Sequence, residues 1–280
     1  MNRLIFLILV LGFSKILPTE YALFAKRETS SPIKYLCIFG ERCSGTNYTQ
    51  SLLLENLIFD SSEYKNIHKP VSNYGHKHFP PWFELPLKEY QGPRRYYSLE
   101  DNEETLFVVI FRDPYDWVRS FKKKPHHGLR ELRSLPFSQF IRTPWQLNPN
   151  NGLVKSESNL NPLMDKDPFT GENFSNVLHL RSAKIRTMLL VKDKVHNAYY
   201  INYETVRDHP KEVLKEIEDI FGLASTTEFN PIIHTKGREK KAIYKPKEYP
   251  PINLNDLLFI NDQLDEELER SIGYELTRYF

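Results

Sequence analysis

Three groups of residues have the types and spacing needed to bind or transform an anionic substrate. The first is the segment CIFGERCSGTNY, in which Gly40 and Gly45 enclose four residues and Thr46 follows. This pattern is typical of a loop whose backbone N–H groups and hydroxyls hold phosphate at a helix N-terminus. A nucleotide triphosphatase has lysine directly after the second glycine, to reach the outer phosphates. The sequence therefore predicts an anion-binding loop without the usual lysine.

The second group follows a continuous apolar run, residues 106–111, which predicts a strand covered on both faces. Arg112 comes directly after this run, and its guanidinium fork suits phosphate. Ser120 lies about two helical turns further on, within reach of the same anion. Asp113 and Pro114 between them are typical of a helix N-cap and first helical position. A second anion-binding turn is therefore predicted here.

The third group is the segment YGHKHFPPW, which contains His76, Lys77 and His78. Histidine titrates near neutral pH, so either ring could act as a general base. The alternative for any single histidine is a surface or hydrogen-bonded residue. The two histidines could also share one face of a strand and bind a metal. No acidic or cysteine partner nearby completes a ligand set, so no metal site is predicted.

The scaffold for these groups is predicted from strands that alternate with helices. Residues 33–40 form a short apolar run closed by glycine, and helical spacing begins near Thr46. A third unit has a strand at 198–203 and a helix at about 210–221, which Gly222 ends. This order predicts an α/β fold with a mostly parallel sheet flanked by helices and a P-loop-like nucleotide-binding architecture. Because ligands bind beyond the carboxyl ends of such strands, the anion-binding turns should share one edge of the sheet.

The remaining chain divides into a leader, a linker and one domain. Residues 1–25 contain one arginine and then an unbroken apolar run, typical of a signal peptide or a short membrane anchor. Residues 26–32 are predicted to be a polar linker, and 33–280 one domain. Within this domain, residues at about 142–175 are predicted to form a long loop of the kind that covers or shapes a site. The last segment, LNDLLFINDQLDEELERSIGYEL, predicts one amphipathic helix.

Overall charge and cysteine content add little about partners or compartment. The formal net charge of +2 excludes a generic polyanion binder, and no nucleic-acid partner is expected. Cys37 and Cys43 are the only cysteines and do not make a disulfide framework. The charge run KKKPHH, residues 122–127, is expected to be a solvated face rather than a wall of the site.

Several segments, in this order, resemble PAPS-dependent sulfotransferases, which use 3′-phosphoadenosine 5′-phosphosulfate (PAPS) as donor. The loop CSGT matches the last three residues of the family's first loop, and Arg112 with Ser120 matches its arginine and serine spacing. The segment YINYETVRDHPKEVLKEIEDIFGL is similar to a Tyr-Glu segment and the helix after it. TKGR and ELERSIGYEL resemble a late Lys-Gly loop and a C-terminal helix. The resemblance runs from about residue 33 to the C-terminus.

The resemblance implies a role for each matching residue. Ser44, Gly45 and Thr46 would hold the 5′-phosphosulfate, while Arg112 and Ser120 hold the 3′-phosphate. KHFP implies His78 as the catalytic base, with His76 as second candidate. No metal is required. The acceptor would carry a hydroxyl. It would be a carbohydrate or glycoconjugate if the N-terminus directs the chain to the secretory pathway or a membrane. It would be a small alcohol or lipid if the protein is cytoplasmic. The implied donor-binding residues are Arg42, Cys43, Ser44, Gly45, Thr46, Asn47, Tyr48, Arg112, Ser120, Lys236, Gly237 and Arg238.

The chain departs from the family pattern at Cys43, where a basic residue is common. Arg42 and Lys77 are the two candidates for the cation that would replace it. Asn47 is expected either to donate to the phosphosulfate or only to cap the helix locally. Tyr48 is expected either to pack near adenine or to face the core.

Two other functions compete with sulfuryl transfer. A P-loop kinase or nucleotide triphosphatase would use Asp113 as a magnesium ligand, although the loop lacks its lysine. A non-catalytic nucleotide- or glycan-binding relative would keep the fold and lose the activity, and Cys43 favours it.

Overall fold

The computed structural model describes residues 19–59, 77–78, 103–148, 165–167, 170–233 and 244–278. Most of the predicted leader, His76, and Lys236, Gly237 and Arg238 lie outside these residues, as does part of the loop predicted over 142–175. In chain order the elements are β1 (Phe24–Arg27), β2 (Tyr35–Gly40), α1 (Thr46–Asn56), β3 (Leu57–Ile58), β4 (Thr105–Phe111), α2 (Pro114–Lys123), α3 (Arg130–Ser134), α4 (Phe137–Phe140), α5 (Val177–Leu189), a 3₁₀ turn (Leu190–Asp193), β5 (Asn197–Asn202), α6 (Tyr203–Asp208), α7 (Pro210–Phe221), β6 (Ala224–Ser225), α8 (Leu254–Gln263) and α9 (Glu266–Ser271).

The protein has a mixed α/β fold built on a mostly parallel four-stranded sheet, as predicted. The strand order is β1-β5-β4-β2. Strand β4 is central and runs parallel to both β2 and β5, while β1 pairs antiparallel with β5 at the edge. Strands β3 and β6 form a separate antiparallel pair. Since β2 and β4 are parallel neighbours, the segments that follow them emerge side by side.

Helices cover both faces of this sheet because β4 is apolar on both. All seven of its residues are buried. Val108 and Ile110 belong to the cluster that packs against α1 and α7. Phe107 and Val109 belong to the cluster that packs against α5 on the opposite face. The alternation places successive side chains on opposite faces, as a strand requires.

Two helix boundaries confirm their sequence signals, and a third prediction is wrong. Asp113 accepts a hydrogen bond from the backbone N–H of Asp116 (2.8 Å), so α2 begins at Pro114. Helix α7 ends at Gly222, whose φ of 64° is left-handed. The single C-terminal helix is instead two helices, α8 and α9. The chain is extended at Leu264, between the two helices.

The N-terminal part of the described chain belongs to the sheet. The boundary predicted after residue 25 falls inside β1, so the segment predicted as a linker begins within a strand. Ala25 is fully buried. Just before β1, the Glu216 carboxylate accepts hydrogen bonds from the backbone N–H groups of Glu20, Tyr21 and Ala22 (2.7, 3.0 and 2.9 Å). Among the described residues, each helix is too short or too polar to cross a membrane.

Candidate functional site

The segments that follow β2 and β4 line one cavity of about 260 Å³. Eight of the residues implied by the sequence meet there: Cys43, Gly45, Thr46, Asn47, Tyr48, His78, Arg112 and Ser120. The other lining residues are Ser51, Lys124, His126, Tyr203, Ile232, Tyr244, Lys245 and Lys247. The fold therefore brings the two turns predicted to bind anions and the candidate base around a single cavity.

The N-terminus of α1 points free donors at this cavity. Its N-cap is Gly45, with φ 87° and ψ 7°, and no side chain caps the helix. The first turn contains no acidic residue. Within the described part of the chain, the N-cap therefore supplies no side-chain acceptor to the first N–H groups of the helix, and together with the helix dipole these groups favour an anion. We call residues 40–46, which lead into this helix, the glycine loop.

Arg112 is the second candidate anion-binding group. Its Nη1 donates to the Cys43 carbonyl (2.9 Å), which ties the end of β4 to the glycine loop. The guanidinium carbon lies 4.9 Å from the centre of the Tyr203 ring. Only 8% of the residue is exposed, yet Nε has no hydrogen-bond partner among the described residues. An unpaired buried donor of this kind is costly.

A buried ion pair fixes the backbone of Arg112. The Arg181 guanidinium donates to the Arg112 carbonyl (2.8 Å). It also forms two hydrogen bonds with the Glu269 carboxylate (2.6 and 2.7 Å). Helices α5 and α9 therefore position the residue that presents its side chain to the cavity.

His78 has the tautomer required of a general base. Its Nδ1 lies 2.8 Å from the Gly40 carbonyl oxygen. A carbonyl only accepts hydrogen bonds, so Nδ1 must carry a proton in this contact. In the neutral ring, Nε2 is then left as the proton acceptor. His78 also lines the cavity.

The described lining is basic. It includes Arg112, Lys124, Lys245 and Lys247, and no carboxylate. Burial lowers the pKa of His126, and the charges of Lys124 and Arg42 lower it further. The charge run predicted as a solvated face therefore contributes two residues, Lys124 and His126, to the cavity. Lys245 and Lys247 were missed because no spacing in their segment marks a site.

Three tyrosines form an aromatic wall. The Tyr48 and Tyr244 rings lie 4.7 Å apart at 32°, and Tyr48 meets Tyr203 edge-on at 6.0 Å. The Tyr203 and Tyr244 hydroxyls are hydrogen-bonded to each other. Tyr48 packs against the core cluster, which agrees with the core-facing alternative, and it also lines the cavity.

Neither candidate cation of the loop lines the cavity, and the two differ in position. Arg42 is fully buried and pairs with Asp165 (2.6 Å) and Glu41 (2.9 Å), so its charge is already neutralised. Lys77 donates to the side-chain oxygen of Asn47, beside the first turn of α1. Arg42 is therefore unsuited to replace the missing loop cation, while Lys77 lies at the edge of the cavity.

Two more loop residues, Ser44 and Cys43, differ in position, since only Cys43 lines the cavity. Ser44 is buried and is not part of the lining; its N–H donates to the Glu41 carbonyl (3.1 Å). Cys43 has a positive φ of 65°, unusual for a residue with a side chain. Burial raises the pKa of its thiol despite the nearby Ser120 and Arg112, so the thiol is neutral at physiological pH. Both Cys43 and Cys37 are free, as expected.

A scan against models of known protein families found no match for this chain, and a search of curated proteins found no significant match either. In the described part of the chain, no cluster of three or more His, Cys, Asp or Glu is arranged to hold a metal ion.

Proposed function

We propose that the protein is a sulfotransferase that moves a sulfuryl group from PAPS to a hydroxyl of a carbohydrate or other acceptor. One observation carries the proposal. The uncapped N-terminus of α1, the buried Arg112 and His78, whose Nδ1 donates to the Gly40 carbonyl, line one basic cavity whose described lining has no carboxylate. Such a cavity suits a donor with separated anionic groups and an acceptor that must lose a proton. With this function we also propose a P-loop-like architecture.

The donor would be held at both of its anionic ends. The N–H groups of α1, with Gly45, Thr46 and Asn47, would bind the 5′-phosphosulfate. Arg112 and Ser120 would bind the 3′-phosphate. Both contact Cys43 of the glycine loop: Arg112 at its carbonyl and Ser120 at its thiol. Arg112 lines the cavity, and its guanidinium charge would attract that group.

The transfer is a single displacement at sulfur. Nε2 of His78 takes the proton from the acceptor hydroxyl as its oxygen forms a bond to sulfur. The bond between sulfur and the bridging oxygen breaks, and that oxygen leaves with the electron pair on adenosine 3′,5′-bisphosphate. The α1 N-terminus stabilises the negative charge that develops there. The products are a sulfate ester and a protonated His78.

A transfer assay with radiolabelled PAPS and a panel of hydroxyl acceptors tests the proposal. His78→Ala should lower the rate about 10²- to 10⁴-fold, the usual contribution of a general base. His126→Ala is the matched control, because His126 lines the same cavity but is expected to take no proton. Transfer by His78→Ala at the wild-type rate, or no transfer by the wild type to any acceptor, would refute the proposed function.

A non-catalytic nucleotide-binding relative is the second candidate, and the neutral thiol of Cys43 favours it. It predicts that adenosine 3′,5′-bisphosphate binds and no sulfuryl group moves. A kinase or nucleotide triphosphatase fits less well, since Asp113 already caps α2. Adding EDTA separates these chemistries, because phosphoryl transfer needs Mg²⁺ and PAPS chemistry does not. Secretory or membrane-anchored localisation stays a proposal, and so does the carbohydrate or glycoconjugate acceptor that depends on it.

A further inference from the structure

Asp165 lies at the centre of a buried cluster of charges beside the cavity. Its carboxylate pairs with Arg42 (2.6 Å) and Lys184 (2.9 Å), and accepts a hydrogen bond from Trp145 Nε1 (2.9 Å). The side chains of Asp165, Arg42 and Lys184 are all 0% exposed. Glu41 completes the cluster through Arg42 (2.9 Å). None of these residues lines the cavity.

The cluster reaches the glycine loop through Arg42. The Arg42 carbonyl accepts a hydrogen bond from Trp117 Nε1 (2.8 Å). The Arg42 side chain donates from Nε to His127 Nδ1 (3.3 Å). Arg42 lies two positions after Gly40 and immediately before Cys43. Its contacts with Asp165 therefore fix the backbone of the loop.

The cluster reaches the candidate base through Lys184. Lys184 Nζ donates to the backbone carbonyl of His78 (3.4 Å) while it pairs with Asp165. The His78 ring donates to the Gly40 carbonyl, so His78 is also linked directly to the glycine loop. One carboxylate thus holds both the loop that would carry the donor and the residue that would deprotonate the acceptor.

Stability alone is a poor reason for such a cluster. Removing charges from water costs more than their mutual attraction returns in many buried ion pairs, and apolar side chains of similar volume are often as stable. Position matters far more for a reaction, since a misplacement of about 1 Å between reacting groups can cost about 10²-fold in rate.

We propose that Asp165 is a positioning residue that sets the place of His78 relative to the glycine loop. The inference rests on the proposed function. Asp165 contacts neither donor nor acceptor and acts only through Arg42 and Lys184.

The test compares Asp165→Asn with the double variant Asp165→Asn, Lys184→Met. Asparagine keeps the shape but removes the charge, so kcat should fall about 10- to 100-fold. The dissociation constant of adenosine 3′,5′-bisphosphate, measured by calorimetry, should change less than about threefold if the α1 N-terminus stays intact. The double variant removes the uncompensated lysine and should recover stability, but it leaves the His78 carbonyl without its donor, so kcat should stay low.

Asp256→Asn is the matched control. Asp256 is also a buried carboxylate paired with an arginine, Arg142 (2.5 Å), but it lies outside the cluster. Its removal should leave kcat unchanged. If kcat returns together with stability in the double variant, or if Asp165→Asn keeps wild-type kcat, Asp165 has only a structural role and the inference is wrong.

A readout that needs no activity separates this inference from the proposed function. The nitrogen chemical shifts of the His78 ring report which nitrogen carries the proton. Asp165→Asn should shift the His78 tautomer ratio away from Nδ1–H, and Asp256→Asn should not. A changed ratio with no transfer by the wild type would refute the sulfotransferase while supporting the positioning. An unchanged ratio would refute the positioning whatever the reaction is.

Discussion

Replacing Gly45 with alanine should damage both the fold and the cavity. An added Cβ would lie 2.1 Å from Cδ2 and 2.7 Å from Cε2 of the Tyr203 ring. The Tyr203 ring cannot move aside freely, because Tyr203 is only 7% exposed. The ring also packs against the Arg112 guanidinium, and its hydroxyl is hydrogen-bonded to that of Tyr244. The substitution therefore forces either the ring or the glycine loop to move.

The expected cost is the sum of two effects. The positive φ of 87° costs a residue with a side chain about 1–2 kcal/mol. Overpacking against a buried ring adds about 1–3 kcal/mol. Gly45→Ala should therefore lower the free energy of unfolding by about 2–5 kcal/mol, and it should weaken binding of adenosine 3′,5′-bisphosphate because Tyr203 supports Arg112.

Gly171→Ala is the control that isolates the clash. Gly171 also has a positive φ, 73°, but nothing lies within 4 Å of an added Cβ. This variant should lose only about 1–2 kcal/mol. Urea denaturation of both variants, with calorimetric titration of the nucleotide, measures the difference. Equal destabilisation of the two proteins, or unchanged nucleotide binding by Gly45→Ala, would contradict the reasoning.

Three further predictions concern charge. Burial alone would raise the pKa of Asp165, but the charges of Arg42 and Lys184 hold it at about 2, below its ordinary 3.8. The stabilisation that the charged Asp165 contributes is therefore full above about pH 4 and is lost as the pH falls towards 2. Over that range the urea midpoint should decline more steeply for the wild type than for Asp165→Asn. Parallel declines would contradict the lowered pKa of Asp165. Arg181→Met leaves Glu269 buried and unpaired and should cost about 3–5 kcal/mol in a denaturation experiment, whereas a loss below about 1 kcal/mol would mean that the pair is not buried in solution. Lys247→Gln should weaken nucleotide binding and reduce its dependence on salt, measured by calorimetry at two ionic strengths; an unchanged salt dependence would exclude Lys247 from the anion site.

Local signals in the sequence predicted much of the scaffold. The apolar run before Arg112 and the Asp-Pro pair after it specified β4 and the start of α2, since both depend only on neighbouring residues. Gly222 similarly marked the end of α7. The meeting of Cys43 with Arg112 also followed from sequence, because parallel neighbours β2 and β4 deliver their following segments to the same edge.

Contacts distant in the sequence could not be predicted. Arg42 was a candidate for the missing loop cation, but its partner Asp165 lies far along the chain in a stretch with weak periodicity. Lys247 likewise reaches the cavity only through the tertiary fold. Strand β1 was not predicted because such a short edge strand carries too few residues to show an alternating pattern.

Strand β1 limits where the N-terminus can be processed. A cut after Ala25 would leave β1 incomplete and expose part of the backbone edge of β5, to which β1 is paired. An open strand edge is a template for aggregation. The same cut would remove the backbone N–H groups from which the Glu216 carboxylate accepts hydrogen bonds. A protease that removes a leader from this protein without disrupting the sheet must therefore act on the N-terminal side of Glu20.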